Sequence, residues 1–278
     1  MPLPTTFPEA YRRYMAAFGV PDLPDIAAVG VKFVRRGEAP PAEATPMEMA
    51  YTWCYAVKQA SKGEVPLVTK DTVGCVMAAI ALGLVDEDDP TPLPGFRQYS
   101  QKMDTQPAPA DFKAGRVYGC KAAQRMDFAV YGADDPGRFQ SVEAAQKAYA
   151  AMPKIQPANM DAVVPFPPDE ELAHLVPDVV ILALTPRETA RSLQGLAFET
   201  GDRFHFDTLG VGGFSVDLTA APYLTGRPNA SFMCVGARVI ARWDGNLNGL
   251  GLPWEHFRRM VVGLELSAAG FPFSRYPA

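Results

Sequence analysis

The residues of this chain best suited to chemistry are four cysteines, Cys54, Cys75, Cys120 and Cys234. A thiolate binds soft metals and attacks electrophiles, and it is favoured beside a cation or a helix N-terminus. Cys75, in "KDTVGCVMAAIALG", falls in the first turn of a helical pattern and is placed for that effect. Three or four converging thiolates could hold zinc or an iron–sulfur cluster. No C-x-x-C occurs, so each ligand would have to come from a different element. The competing reading is packing, since a free cysteine behaves as a small hydrophobe. Cys54 and Cys75 have apolar neighbours at helical spacing, which suits that reading equally.

A second candidate set is cationic. Arg238 follows Gly236 in "NASFMCVGARVIARWDG", where a strand is expected to give way to a turn. Its planar fork suits a carboxylate or phosphate. Lys32 interrupts the apolar strand "IAAVGVKFV". Together Arg238, Lys32 and Gly236 form a candidate site for a small anionic ligand, against the alternatives of a local salt bridge and an edge position. His174, His205 and His256 form neither H-x-x-x-H nor H-E-x-x-H, which argues against a histidine-rich zinc enzyme. His205, in "RFHFD", alternates with phenylalanines on a strand face shared with Arg203 and Asp207 and reads as structural. "LGVGGF" lacks both the G-x-G-x-x-G pattern and a P-loop lysine. No G-x-S-x-G elbow occurs. Whether the protein is an enzyme stays open at this point.

The remaining composition sets bounds. A chain of 278 residues can bury one large core or two smaller ones. The formal net charge of −5, with no basic run, argues against nucleic acid as a partner. The 27 prolines imply many fixed loops. The N-terminus has no basic start followed by an apolar core, so no secretory signal is expected. "VGCVMAAIALGLV" is too short to span a bilayer, so no membrane partner is expected and the cytoplasm is the expected compartment. In that compartment the cysteines would not need to pair.

These residues must be positioned by the surrounding elements. Residues 8–18 read as an amphipathic helix. "TPMEMAYTWCYAVKQASKG" reads as a helix with Thr45 as cap and Cys54 in its middle. "VPLVT", "RVYGC", "MDFAVYG", "DAVVPF", "DVVILAL" and "RFHFDT" read as strands. "SVEAAQKAYAAM" reads as a helix capped by Ser141, and "TPRETARSLQGLAF" as one capped by Thr185 with Pro186 at its first position. "SVDLTAAPYLTG" reads as a short helix, "ASFMCVGARVIARW" as strand-like and "LPWEHFRRMVVGLELS" as the last long helix. The alternation predicts an α/β (or α+β) fold.

The element order also recurs. "PDIAAVGVKF" and "PDVVILALTP" open two copies, and "KDTVGCVMAAIALG" aligns with "FDTLGVGGFSVDLTAAPYLTG" from Asp-Thr onward. "GRVYGCKAAQR" and "NASFMCVGARV" align on Cys120 and Cys234. The pattern predicts a degenerate internal duplication in which two similar α/β halves share one core. The boundaries are an N-terminal helix at 1–19, halves at 20–155 and 156–268, and a tail at 269–278. The tail "GFPFSRYPA" is apolar and aromatic, suited to packing on its own chain or on a neighbouring subunit, so a homo-oligomer is among the readings.

"YTWCYAVKQASKGEVPLVTKDTVGCVMAAIALG", "PDVVILALTPRETARSLQGLAF" and "APYLTGRPNASFMCVGARVIA" resemble the domain of unknown function 169 family of bacterial and archaeal proteins. The resemblance covers roughly residues 25–265. It places a cysteine in each of two early helices and a Cys-x-Gly-x-Arg late in the chain, matched here by Cys54, Cys75, Cys234, Gly236 and Arg238. The family pattern has a further cysteine ahead of the "APYLTG" segment, where this chain has Ser215 and Val216. A four-cysteine site on that pattern would need Cys120 instead. The resemblance supplies no activity. Two expectations follow: a cysteine-liganded iron–sulfur or metal-binding protein, of redox or lyase type, or a cofactor-free protein holding a small anionic ligand between the halves.

Overall fold

The computed structural model describes residues 1–18, 27–87, 139–140 and 142–267. Among these, seven strands form one sheet: β1 (Ala27–Arg35), β2 (Thr45–Pro46), β3 (Pro66–Thr69), β4 (Met160–Phe166), β5 (Val179–Leu184), β6 (Asn229–Ser231) and β7 (Asn248–Pro253). The spatial order is β2-β3-β4-β1-β5-β7-β6. β2 and β3 run parallel and every other neighbouring pair is antiparallel. β5 is buried along its whole length, because both faces of the sheet are covered.

The covering helices are α1 (Phe7–Ala17), α2 (Trp53–Ala60), α3 (Val76–Ala81), α4 (Val142–Ala151), α5 (Pro186–Ala197), a π-helix (Gly213–Ala220), α6 (Ala221–Thr225), α7 (Val235–Val239) and α8 (Trp254–Ser267). Strand alternation sends apolar side chains to both faces of the sheet, in two large clusters and a small third one around Val34, Ala162 and Val164. Val29, Val31 and Phe33 of β1 and Ile181 and Ala183 of β5 face a cluster built with α2, α3, the π-helix and α7. Ala28, Val180, Leu182 and Leu184 face a second cluster built with α1, α5 and α8. In that second cluster Phe7 of α1 meets Phe166 edge-on at 5.7 Å and also contacts Phe257 and Trp254. The α/β (or α+β) expectation holds as helices on both faces of a mixed sheet.

Local signals account for several elements. Thr185 and Glu188 form a reciprocal capping box at the start of α5, with Pro186 in the first turn. Thr6 accepts the Glu9 amide at the start of α1. Gly83, with φ of 70°, takes the left-handed turn that ends α3.

Three expectations need correction. The helix carrying Cys54 begins at Trp53. Thr45 lies in β2, because a residue before proline is driven to extended backbone and its amide meets the Val65 carbonyl. "RFHFDT" forms no strand. The Asn229 side chain takes both the amide and the carbonyl of Asp207, doing for that backbone what a neighbouring strand would do. "ASFMCVGARVIARW" splits: β6 ends at Ser231, Met233 turns left-handed at φ 66°, and α7 follows. β7, in "NGLGLP", was not anticipated.

The internal duplication is not shown. β1 and β5 open the two sequence copies and lie as antiparallel neighbours. A twofold axis relating them would stand perpendicular to the sheet and keep equivalent helices on one face. The helices that follow them, α2 and α5, instead cover opposite faces. Cys120, Ser141 as a cap, the strands "RVYGC" and "MDFAVYG", and the C-terminal tail lie outside the described residues.

Candidate functional site

Cys54, Cys75 and Cys234 all border the same core cluster on one sheet face, and each stands at the start of a helix. Cys54 is the second residue of α2, Cys75 precedes α3 and Cys234 precedes α7. The entry of the π-helix joins these elements. Gly212 is left-handed there, and a methyl on it would meet Val216 and lie 3.4 Å from Met77 of α3. A methyl on Gly213 would stand 2.9 Å from the Cys234 nitrogen and the Met233 Cα. Only glycine lets the π-helix start so close to the backbone that presents Cys234.

A closed circuit of contacts fixes Cys54 beneath. The Trp53 indole donates to Thr219 at 3.1 Å, and the Thr219 hydroxyl donates to the Phe214 carbonyl at 2.6 Å. Phe214 stacks on Trp243 at 5.0 Å, and the Trp243 indole donates to the Cys54 carbonyl at 3.0 Å. Lys58 lies over the Trp243 ring at 4.3 Å. Burial pushes the Cys54 thiol up to about 12, opposed by its hydrogen bond with Thr52 and assisted by the nearby Cys234 sulfur. Cys54 is therefore a neutral thiol at ordinary pH. Cys234 is half-buried and so the accessible member of that pair.

Three thiolates sharing a cluster would sit within about 7 Å of one another, given metal–sulfur bonds of about 2.3 Å. Among the described residues, no group of three Cys, His, Asp or Glu side chains stands where it could hold a metal ion. Cys54, Cys75 and Cys234 thus line one face without assembling the expected metal triad.

The cationic pair is not brought together. Arg238 lies on α7 and gives its guanidinium to the carbonyls of Phe232 at 2.8 Å, Leu247 at 2.7 Å and Asp244. Its role is to pin the loop before β7. Gly236 lies in the first turn of α7, where a methyl group would make only ordinary contact, 3.9 Å from the Cys234 sulfur. Lys32 points to the opposite sheet face, paired with Asp178 at 3.3 Å. It lines a surface cleft of about 390 Å³ with Glu38, His174 and Val176.

The group that sequence reasoning missed is Asp217. It is buried in the middle of the π-helix, accepting from Thr208 at 2.6 Å and Ser231 at 2.8 Å. Burial raises its carboxyl to about 6, the two hydrogen bonds oppose this, and Asp207 adds repulsion. The Met233 amide donates to Ser231 at 3.1 Å, so the network ends one residue before Cys234. A π-helix, a left-handed non-glycine residue and a raised carboxyl in one place are features that gather at functional sites. The available signal was one acid inside an apolar stretch, "GFSVDLTAAP".

No helix among the described residues is long and apolar enough to cross a membrane. Residues 24–263 match the sequence profile of domain of unknown function 169, described as "Uncharacterised ArCR". Over 129 residues the chain is 30% identical to the uncharacterized protein MJ0308 of Methanocaldococcus jannaschii, covering 46% of this chain and 54% of that protein. The chain thus spans about half the length of this curated relative. No solved structure matches it.

Proposed function

The chain belongs to the domain of unknown function 169 family, and from that premise we propose that it binds a small thiol-reactive or thiophilic ligand at Cys234. The observation that carries this is the setting of Cys234. It is half-buried, follows the left-handed Met233, abuts the entry of the π-helix and stands close to the neutral thiol of Cys54. Backbone strain at a non-glycine residue persists where the surroundings impose it, and here it aims a nucleophile.

The test is alkylation of the native full chain with iodoacetamide, read residue by residue by mass spectrometry. Cys234 reacts first and Cys54 only after unfolding in urea. Equal labelling of both in the native state, or none of Cys234, overturns the reading.

A second reading is a metal ion or iron–sulfur centre with Cys54, Cys75, Cys234 and Cys120 as ligands; the three described cysteines border one core cluster but do not by themselves form a group able to hold a metal. Anaerobic purification followed by metal analysis and visible absorption decides between them. A stoichiometric metal lost on Cys234→Ser supports the centre, and a colourless, metal-free protein supports the cofactor-free site.

A further inference from the structure

We propose that Asp217 is a positioning residue for Cys234: through Ser231 its carboxylate holds the left-handed turn at Met233, and uptake of a proton by that carboxylate, while it stays buried, loosens the turn. The proposal rests on the reading of Cys234 as the ligand-meeting group and adds a control to it.

The Ser231 hydroxyl has one proton and gives it to Asp217 Oδ2 at 2.8 Å. Its lone pairs are then free for the Met233 amide, which donates at 3.1 Å. Thr208 donates to the same carboxylate oxygen at 2.6 Å. Asn229 ties the Asp217 carbonyl at 2.9 Å and the Asp207 backbone into the same knot. One ionised carboxylate thus orients two hydroxyls, and one of these orients the amide of the residue in front of Cys234. Hydrogen bonds to an ionised acceptor are about twice as strong as those to a neutral one, so protonation weakens both together.

The surroundings leave Asp217 few electrostatic partners. Asp207, on the loop before the π-helix, faces it and opposes its ionisation. Of the elements packed on the π-helix, α2 carries Cys54, Tyr55 and Lys58, and α6 carries Tyr223. α3, β5, β6 and β7 carry no ionisable side chain within their bounds. Lys58 is engaged over Trp243. The carboxyl is buried and titrates near 6, within reach of ordinary solution conditions.

The experiment measures hydrogen exchange of residues 229–234 in the full chain between pH 5 and 8, corrected for intrinsic rates. Alkylation of Cys234 is followed in parallel. Wild type should lose at least about tenfold protection on going below about pH 6. Asp217→Asn should show no pH step. Ser231→Ala, which keeps the acid but cuts the link, should show low protection at every pH and no step, and it carries the test if Asp217→Asn fails to fold. Protection that is flat with pH in wild type, or a step that survives Ser231→Ala, overturns the proposal. An inert Cys234 beside an intact step sinks the thiol reading alone. A reactive Cys234 without a step sinks the proposal alone.

Discussion

Arg238 binds the carbonyls of Phe232, Asp244 and Leu247, so its substitution should be felt first in stability. A lysine keeps the charge but cannot fork to three acceptors. Arg238→Lys is expected to cost about 1–2 kcal/mol, read as a lowered urea midpoint at unchanged slope. An unchanged midpoint would show that the loop does not depend on the fork. Asp217 makes a prediction of a different sign. Its carboxyl is raised from an ordinary 3.8 to about 6, so the folded state binds the proton more tightly than the unfolded chain. That contribution is fully present below about pH 4 and is lost as pH rises through 6, an effect on the order of 2–3 kcal/mol. Asp217→Asn removes the titration. The difference in melting temperature between mutant and wild type should therefore shift in favour of the mutant between pH 4.5 and 7.5. A difference that stays constant with pH would mean that Asp217 does not titrate in this range. Neither residue's role was legible in the sequence. Arg238 in a C-x-G-x-R pattern invites a ligand, and nothing local tells that three carbonyls would claim it. Asp217 lacks a motif, and its meaning comes from burial that only the tertiary fold creates.

At the scale of elements, the sequence was most readable where local chemistry and tertiary demand agree. β5 is a continuous apolar run of the kind expected for a strand covered on both faces, β1 and β4 are nearly so, interrupted by Lys32 and Asp161, and α5 announces itself with Thr185, Pro186 and Glu188. β7 was invisible because its glycines alternate with leucines in place of β-branched residues. The reason lies in the π-helix above it. A methyl on Gly251 would run into the Leu218 backbone, and one on Gly249 into the Leu218 side chain. The same device joins α5 and α8, where a methyl on Gly263 would strike the Gly195 carbonyl. Gly251→Ala and Gly263→Ala should each destabilise by about 1–3 kcal/mol through forced separation of packed elements. The first should also increase exposure of Cys234 to iodoacetamide, since it lifts the π-helix, whereas the second, on the opposite face, should not. Equal labelling in both variants would disconnect the π-helix from the thiol. The cysteine-bearing face as a whole was partly legible: Cys54, Cys75 and Cys234 do gather on one core cluster. What was not legible is their spacing, which depends on how far each helix start stands from the next.

The whole molecule is stitched across its midpoint. β1 lies between β4 and β5, and β3 pairs with β4, so β1 and β3, the described strands of residues 1–155 with antiparallel neighbours, find those partners in residues 156–267. Among the described residues up to 155, β2 and β3 pair with each other, and Tyr51 and Val73 form an isolated bridge. A fragment ending at 155 would expose β1 on both edges, since its partners β4 and β5 lie beyond that point, and such edges favour aggregation over folding. The two faces are likewise coupled, because each of β1 and β5 sends alternate residues into both clusters. The described core should therefore unfold as one cooperative unit. The tryptophans report on the two faces separately: Trp53 and Trp243 lie in the cysteine-side cluster, and Trp254 packs on the other. A Trp53→Phe, Trp243→Phe double variant isolates Trp254, and Trp254→Phe leaves the opposite pair. Urea midpoints from the two variants, each compared with its own far-UV circular dichroism, should coincide. A fluorescence transition for either face that precedes the circular dichroism transition would show that face detaching on its own. In that event α1, which docks through Phe7 and the Arg13–Glu265 ion pair at 2.7 Å, would be the first element to examine. Phe7→Ala, at about 3–5 kcal/mol, would widen the gap if α1 leads the loss, and would shift both transitions equally if the molecule unfolds as one.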